Sequence, residues 1–600
     1  MPRTNLYSCF FIGMALHLMA VACANGQVRI VGAGTYSTIS DAVAAGGPGD
    51  VIEIDSGVYQ EHDIVLTYPV TIKAAVSGTE FPQVTIDASN MGRHFLIQST
   101  NPMDIFYIEG LRLRNGDVSG LGPLAHDGGS IRKDSGQLYI SNCIVQQCSA
   151  VLGGGISNRG GPISISRSTI KGCTASSSGG GIYVTGAPSY NVLSLAYCVL
   201  EENQAGLDGG GVFSVECIIT VSFSHVRNNQ ALRDGGGCFI FRAGATHPAS
   251  NGAAVTFSTI SGNSAVGSGG GLYVAESECL IFQSFVERNE CTGPAATALG
   301  GGMFLERNTY LMADESHFSF NSSTGSGGGV SLQNGSDAGW IPFLGTRFME
   351  CVFQQNTANL SGGALEVRFS GKPYLDQCEI FDNVAGSGGG AISVVRMTPT
   401  STPMPHLQDT FVCGNDAPQF SSNVGVQQYD DLGGNTILEN CAPPYDGGDF
   451  PDPNPVQNED GTFTWYAGNN TQYPVIQAVV DACDPGDEIV IMAGEYVESL
   501  FLDKPDITIR PATTPGGQGP EAGFQRVVFW NPTEGFENDN GHAFLLGPNT
   551  SNTVVGRPRE FTQLANGSVV PTRLPFGGGL ARSEFDPEAV FLPMCNIAYT

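Results

Sequence analysis

Nine times between residues 153 and 390 the chain carries a triplet of small residues, mostly Gly-Gly-Gly, starting at Gly153, Gly179, Gly209, Gly235, Gly269, Gly300, Gly327, Ser361 and Gly388. The intervals are 26, 30, 26, 34, 31, 27, 34 and 27 residues, a period that marks a solenoid. An apolar or small residue follows each triplet: Ile156, Ile182, Val212, Cys238, Leu272, Met303, Val330, Ala364 and Ala391. Two positions later come Val184, Ile240, Val274, Leu305 and Leu332. Alternation of this kind predicts a short strand with those side chains inward. Each repeat cannot bury its apolar face alone, so stacking on the next is what makes a core.

A second signature lies upstream of most triplets: a small residue, an apolar one, two variable positions, then Asn. The asparagines are Asn203, Asn229, Asn263, Asn289, Asn321, Asn356 and Asn383, and Cys148 and Cys173 take the place in two further coils. Most stand five or six positions before their triplet, whereas Asn289 is separated by eleven. Asn tolerates a left-handed bend and its amide can bond to the Asn one coil above, so these residues are expected to form both a corner and a ladder. Glycine is expected at the other corner, where positive φ is needed. Cys143, Cys198, Cys351 and Cys378 share a repeat position with Ser168, Ser224, Ser258, Ser284 and Ser316, which predicts an inward ladder of small residues rather than disulfides. Cys413 and Cys441, beyond the last triplet, are the expected bridge. Residues 28–440 make roughly 14 coils, a rod on the order of 65–70 Å long at strand spacing.

The segment from Thr38, TISDAVAAGGPGDVIEIDSGVYQEHDIVLTYPVTIKAA, recurs without a gap 437 residues later: Ile39 matches Ile476, Pro48-Gly49-Asp50 matches Pro485-Gly486-Asp487, Tyr59 matches Tyr496, and Glu61 matches Glu498. Helical spacing of Ile39, Ala42 and Val43 predicts that each copy opens with a short amphipathic helix, placed to cover the open end of a rod. The organisation read from the chain is a signal peptide over 1–24, a first parallel β-helix over 25–441, a Pro- and Asp-rich linker over 442–461, and over 462–600 the start of a second β-helix, expected to be cut short. The leader rests on Arg3, the apolar run Cys9–Val21 and the Ala22-Cys23-Ala24 cleavage pattern, and it predicts export.

These motifs resemble the right-handed parallel β-helix of the pectin-lyase-like superfamily, and the glycine-aliphatic and apolar-x-x-Asn pair is similar to the repeats of chlamydial polymorphic outer membrane proteins. The resemblance implies an all-β solenoid with an N-terminal helical cap. The outer membrane proteins end in a membrane barrel, and residues 462–600 do not read as one.

The superfamily also implies chemistries to search for. Of the hydrolase motifs only Asp430-Asp431 is present, and the esterase-like Asp409 and Arg557 fall in different rods. The histidines form no metal-spaced pair, and Gly-x-Ser-x-Gly and Cys-x-x-Cys are missing. What remains is Asp208 and Asp234, which hold the same place before the glycines of consecutive coils. Carboxylates so close share a proton, splay into water or bind a cation, which makes the pair a candidate Ca²⁺ or substrate site; solvated turn acids neutralised by Arg233 are the competing reading. No other cofactor is expected. With 27 basic against 57 acidic residues the net charge is −30, which argues against nucleic acid or an anionic membrane as partner, and no later run is long and apolar enough for a transmembrane helix. The sequence therefore predicts a secreted or cell-surface β-helix protein without catalysis of its own, binding a polysaccharide or another surface. A calcium-dependent polysaccharide lyase is the alternative.

Overall fold

The computed structural model describes residues 26–437 apart from 77–81, 123–125, 187–190, 244–251, 308, 335–344, 370, 397–402 and 418–428, and short stretches between 456 and 582. The chain divides into two compact units, Met1–Glu439 and Asn440–Thr600.

One coil of the first unit shows the plan. Strand Val199–Glu201 ends at Glu202, whose φ is +56°, and Asn203 follows. A two-residue strand, Gln204–Ala205, leads through a loop to Gly209 at φ +67°. Strand Val212–Val215 comes next, then Ile218–Ser222, and Phe223 at φ +49° turns the chain into the following coil. Each strand pairs in parallel with its counterpart one coil on, Val212 with Cys238, Gln204 with Gln230, and Val199 with His225. The result is four stacked sheets. The sheet after the glycines has 12 strands and the one that follows it has 15; the sheet before the asparagines has 14, and the corner sheet of two-residue strands has 9. This is an all-β parallel solenoid of about 12 turns on the sheet after the glycines, and its two longer sheets, with 14 and 15 strands, accord with the roughly 14 coils that the repeat length suggests. One continuous apolar column, from Val31 to Val412, fills its middle.

The asparagines form the ladder but not the bend. Positive φ falls on the residue before each: Glu202, Asn228, Gly262, Arg288, Phe320, Gln355 and Asp382. That leaves the Asn side chain turned inward beneath the next coil, at 0–1% exposure from Asn203 to Asn383. Each Oδ1 accepts from both the backbone N–H and the Nδ2 of the Asn before it, as Asn263 does from Asn229 at 3.0 and 2.9 Å. Each Nδ2 also reaches a carbonyl of the preceding coil, Val226 O at 2.8 Å in the case of Asn263. A buried polar network is tolerable when every member is satisfied in this way. The ladder begins where Cys173 N–H donates to Asn203 at 3.0 Å and runs one rung past the predicted set, to Asn415, which accepts from Asn383 at 2.8 Å.

The glycine register needs a correction in the last two coils. Positive φ lies at Gly153, Gly179, Gly209, Gly235, Gly269, Gly300 and Gly327, but then at Gly362 and Gly389 rather than Ser361 and Gly388. Ala364 and Ala391 therefore take the third glycine position, and the first inward strand residues there are Leu365 and Ile392, Leu365 pairing with Val330. The serine and cysteine ladder is as expected: Ser224 N–H donates to Ser258 Oγ at 3.0 Å, Cys198 N–H to Ser224 Oγ at 3.0 Å, and Cys143, Cys198, Cys351 and Cys378 are free and buried. Cys413 is held in a disulfide; Cys441 lies outside the described residues.

The repeated segment explains itself through two side chains. Helix Ile39–Ala44 buries Ile39, Ala42 and Val43, and its exposed N–H groups are satisfied by Thr38 Oγ1 and by the Glu61 carboxylate, which accepts from Ile39 and Ser40 at 2.7 and 2.9 Å. That is the task of the Glu in Gly-x-Tyr-x-Glu. Asp50 of Pro-Gly-Asp accepts from Gln27 N–H at 2.8 Å, Gly47 N–H at 3.0 Å and Arg29 Nε at 2.7 Å. In the second unit Asp487 accepts from Phe463 N–H at 2.8 Å, Asp484 N–H at 2.9 Å and Trp465 Nε1 at 2.8 Å. The strand pair carries over too, since Val51 pairs with Thr71 and Glu488 with Thr508, both in parallel. The second copy's helix falls mostly outside the described residues, as do residues 1–25, which hold the expected leader.

Candidate functional site

Asp208 and Asp234 stand on successive rungs, with Gly209 N–H donating to Asp234 O at 3.0 Å. Asp208 is buried, and the Arg233 guanidinium grips both of its oxygens, Nε to Oδ1 at 2.6 Å and the terminal nitrogen to Oδ2. Asp234 takes Ser268 N–H on Oδ1 at 2.7 Å, and its Oδ2 lies 3.7 Å from Arg233 Nε. Burial pushes the Asp234 carboxyl above its ordinary range, and the Asp208 charge adds to the shift against the Ser268 bond. The bond to Asp208 raises Arg233 further. Calcium takes six to eight oxygen ligands. Here Arg233 holds both oxygens of Asp208 and lies 3.7 Å from Asp234, and among the described residues no group of three His, Cys, Asp or Glu is arranged to hold a metal.

Asp234, with Leu232 and Arg233, forms one wall of an open cleft of about 500 Å³. Its origin is the irregular coil that carries Asn289. The long gap before Gly300 is filled by a turn on Pro294, whose carbonyl accepts from Thr297 and Ala298 N–H at 2.9 and 3.0 Å. Pro294, Ala296, Thr297 and Leu299 thus rise as a second wall, tied to the first by Ser268 Oγ donating to Thr297 O at 2.7 Å. Tyr273, Phe304, Glu306 and Gln333, on strands of the sheet after the glycines, complete the lining.

Tyr273 and Phe304 end a stack of rings that runs up the outer side of that sheet. Tyr183, Phe213, Phe239 and Tyr273 lie with centroids 5.1, 5.1 and 4.6 Å apart and planes within 12° of one another, and Phe304 then tilts by 44°. The next rung, Ser331, has no ring to continue the stack. Sequence reasoning missed this column, although its signal is plain: the aromatic residue sits second after the triplet in GGGIYV, GGGVFS, GGGCFI, GGGLYV and GGGMFL, between the two inward positions that define the strand.

Tyr273 Oη donates to the Glu306 carboxylate, which also lies 3.3 Å from Arg307. Burial, then the bond to Glu306, pushes the Tyr273 phenol far above its usual range, so it stays protonated. Two strongly displaced groups away from the cleft are held by the fold. Lys133, brought down to about 7 by burial, gives its ammonium to the carbonyls of Gly136, Gly160 and Gly161. His94, brought down to about 4 by burial, bonds Ser130 Oγ at 3.0 Å and lies beside the carbonyls of Ile86 and Arg114. Asp430 and Asp431 are exposed at the end of a sheet, where Asp431 accepts from Gly433 N–H at 2.9 Å. Arg557 lies outside the described residues.

No family model matches the chain, and no curated protein does. Among solved structures it is similar to pectate lyase Pel9A, with 14% identity and a TM-score of 0.30 over 49% of this chain and 77% of that one. It is similar to the PL6 family alginate lyase AlyGC at 12% identity and a TM-score of 0.34, covering 93% and 75%. A third is PfbA, a surface adhesin of Streptococcus pneumoniae, at 11% identity and a TM-score of 0.21, covering 89% and 90%. With scores of 0.34 and below, these likenesses carry no functional weight, which falls instead on this chain's own residues.

Proposed function

We propose that the protein is an exported β-helix displayed at or released from a cell surface, and that it binds glycan without transforming it. The observation that carries this is the cleft. It is walled by the coil that breaks the asparagine-to-glycine spacing, floored by aromatic residues, and ringed by Asp234, Glu306, Gln333 and Arg233, a mixture of apolar surface and directional polar groups that suits a sugar. Lyase chemistry needs a base that can lose its proton near neutral pH. In this cleft Tyr273 is held protonated and Arg233 is fixed on Asp208, so neither is placed for the task.

The test is a glycan-array screen followed by titration calorimetry, together with ultraviolet monitoring for unsaturated product on polygalacturonate and alginate, with and without calcium. Binding that weakens about tenfold in the double variant Leu232→Ala, Gln333→Ala supports the proposal. Leu232 is 58% exposed, so folding is not at stake in that half of the variant. A calcium-dependent rise in absorbance overturns it in favour of the lyase.

A further inference from the structure

The cleft also carries a charge pattern that narrows its ligand. We infer that its ligand is a sugar bearing a free ammonium group, a hexosamine-type glycan, and that it rejects uronates. This rests on the glycan-binding reading above and adds the ligand's charge. Asp234 and Glu306 both line the cleft, and Asp208 lies directly behind its wall. Against these three carboxylates the described lining offers one cation, Arg233, and that guanidinium is spent on Asp208. Arg307, beside Glu306, is shared with Glu276 at 3.6 Å.

Asp234 lines the cleft together with Val266, Ser268 and the Pro294 turn and its side chain is 23% exposed, so its charge is less screened than a charge on open surface. Its Oδ1 is engaged by Ser268 N–H, while Oδ2 has only the distant Arg233 Nε at 3.7 Å. A sugar ammonium placed there gains a charge-assisted hydrogen bond and relieves the repulsion between Asp234 and Asp208. A uronate carboxylate in the same position adds a further like charge where the lining's guanidinium is already engaged. The whole chain, at −30, repels a polyanion on approach and draws a polycation in. A ring can meanwhile lie against Tyr273 and the rim of Leu232 and Pro294, since about 500 Å³ is within the size range of small-ligand sites.

Calorimetric titration of the full chain at pH 6 with glucosamine, N-acetylglucosamine and galacturonate oligomers of equal length tests this. The expected order is glucosamine at least tenfold tighter than its N-acetylated counterpart, with no galacturonate binding. Glucosamine affinity should fall with added salt. It should also drop about tenfold in Asp234→Asn, which keeps an acceptor for Ser268 N–H, and in Glu306→Gln, so that the preference for glucosamine over N-acetylglucosamine narrows in both. If N-acetylated or uronate oligomers bind as tightly as glucosamine, and lose affinity in Leu232→Ala, Gln333→Ala, the charge inference is wrong and the glycan reading stands. If no glycan of any charge binds, the glycan reading itself fails. Thermal melting of each variant separates lost binding from lost fold.

Discussion

A single asparagine in this rod answers to three neighbours, and that is why its loss should be costly. Removing the Asn263 side chain takes the acceptor from both the N–H and the Nδ2 of Asn229 and the donor from Val226 O and Asn289 Oδ1, all in the interior. Buried groups left unpaired cost about 1–3 kcal/mol each, so Asn263→Ala is expected to lose about 3 kcal/mol, read as a lower denaturation midpoint in urea. A midpoint equal to the parent's would mean the ladder is ornamental. What the sequence could not show is which of two adjacent residues bends. The bending position is filled by Glu202, Gly262, Arg288 and Phe320 alike, so it carries no propensity signal, whereas Asn is conspicuous because the ladder needs an amide. His94 offers a pH handle. Its folded value of about 4 lies below the ordinary 6.5, so the unfolded chain binds the extra proton between those values. Stability is therefore fully present above pH 6.5 and falls as the pH drops toward 4, by up to about 3 kcal/mol from this residue. In His94→Gln the melting temperature should change less between pH 7 and pH 4.5 than in the parent, whatever the variant's absolute stability.

At the scale of the glycine turn, the three positions are not equivalent. A Cβ on Gly236 would stand 2.3 Å from Gly270 O and 2.4 Å from Ser264 O, both backbone atoms that cannot step aside. On Gly237 the nearest backbone atom is Gly271 O at 2.6 Å, and the chain itself already places Ala364 and Ala391 at that third position. Gly236→Ala should therefore abolish soluble expression or lower the melting temperature by more than about 10 °C, while Gly237→Ala should cost less than half as much. Circular dichroism melts of the pair decide it, and equal losses would refute the distinction. The turn also marks where pattern reading succeeded and where it slipped. Period and inward alternation were legible because stacking demands both in every coil. The register of the last two triplets was not, since Ser361 and Gly388 look like members of the set until strand pairing puts Gly362 and Gly389 at the bend. The aromatic column went unread because outward positions are free to vary, and only the pairing of Tyr183, Phe213, Phe239 and Tyr273 on successive strands shows them to be one object. Asp208 and Asp234 stand out in the sequence as a candidate cation-binding pair. The place of Asp234 in a cleft depends on the Pro294 turn, which the eleven-residue gap at Asn289 announces only as an irregularity.

At the scale of the molecule, the question is whether the first rod needs the second unit. Its apolar column begins at Val31 and ends at Val412, and among the described residues none beyond the first unit belongs to it. Past Val412 the sheets run out in two-residue strands, Asp430–Asp431 and Thr436–Ile437, the first carrying exposed charge and followed by Gly433 and Gly434. Short, charged strand ends are how an open sheet avoids recruiting another chain. We therefore propose that residues 25–441 fold alone, retaining both Cys413 and Cys441, and that 442–600 is a separate body built on the same repeated segment. In solenoids stability is close to a sum of coil and interface terms, so removing a body that shares no core should leave those terms intact. The fragment is expected to be monomeric on size-exclusion chromatography and to melt within about 3 °C of the first transition of the longer chain. A fragment that aggregates, or melts more than about 10 °C lower, would show that the second unit shields the rod's open end, and the boundary would then have to be moved beyond it.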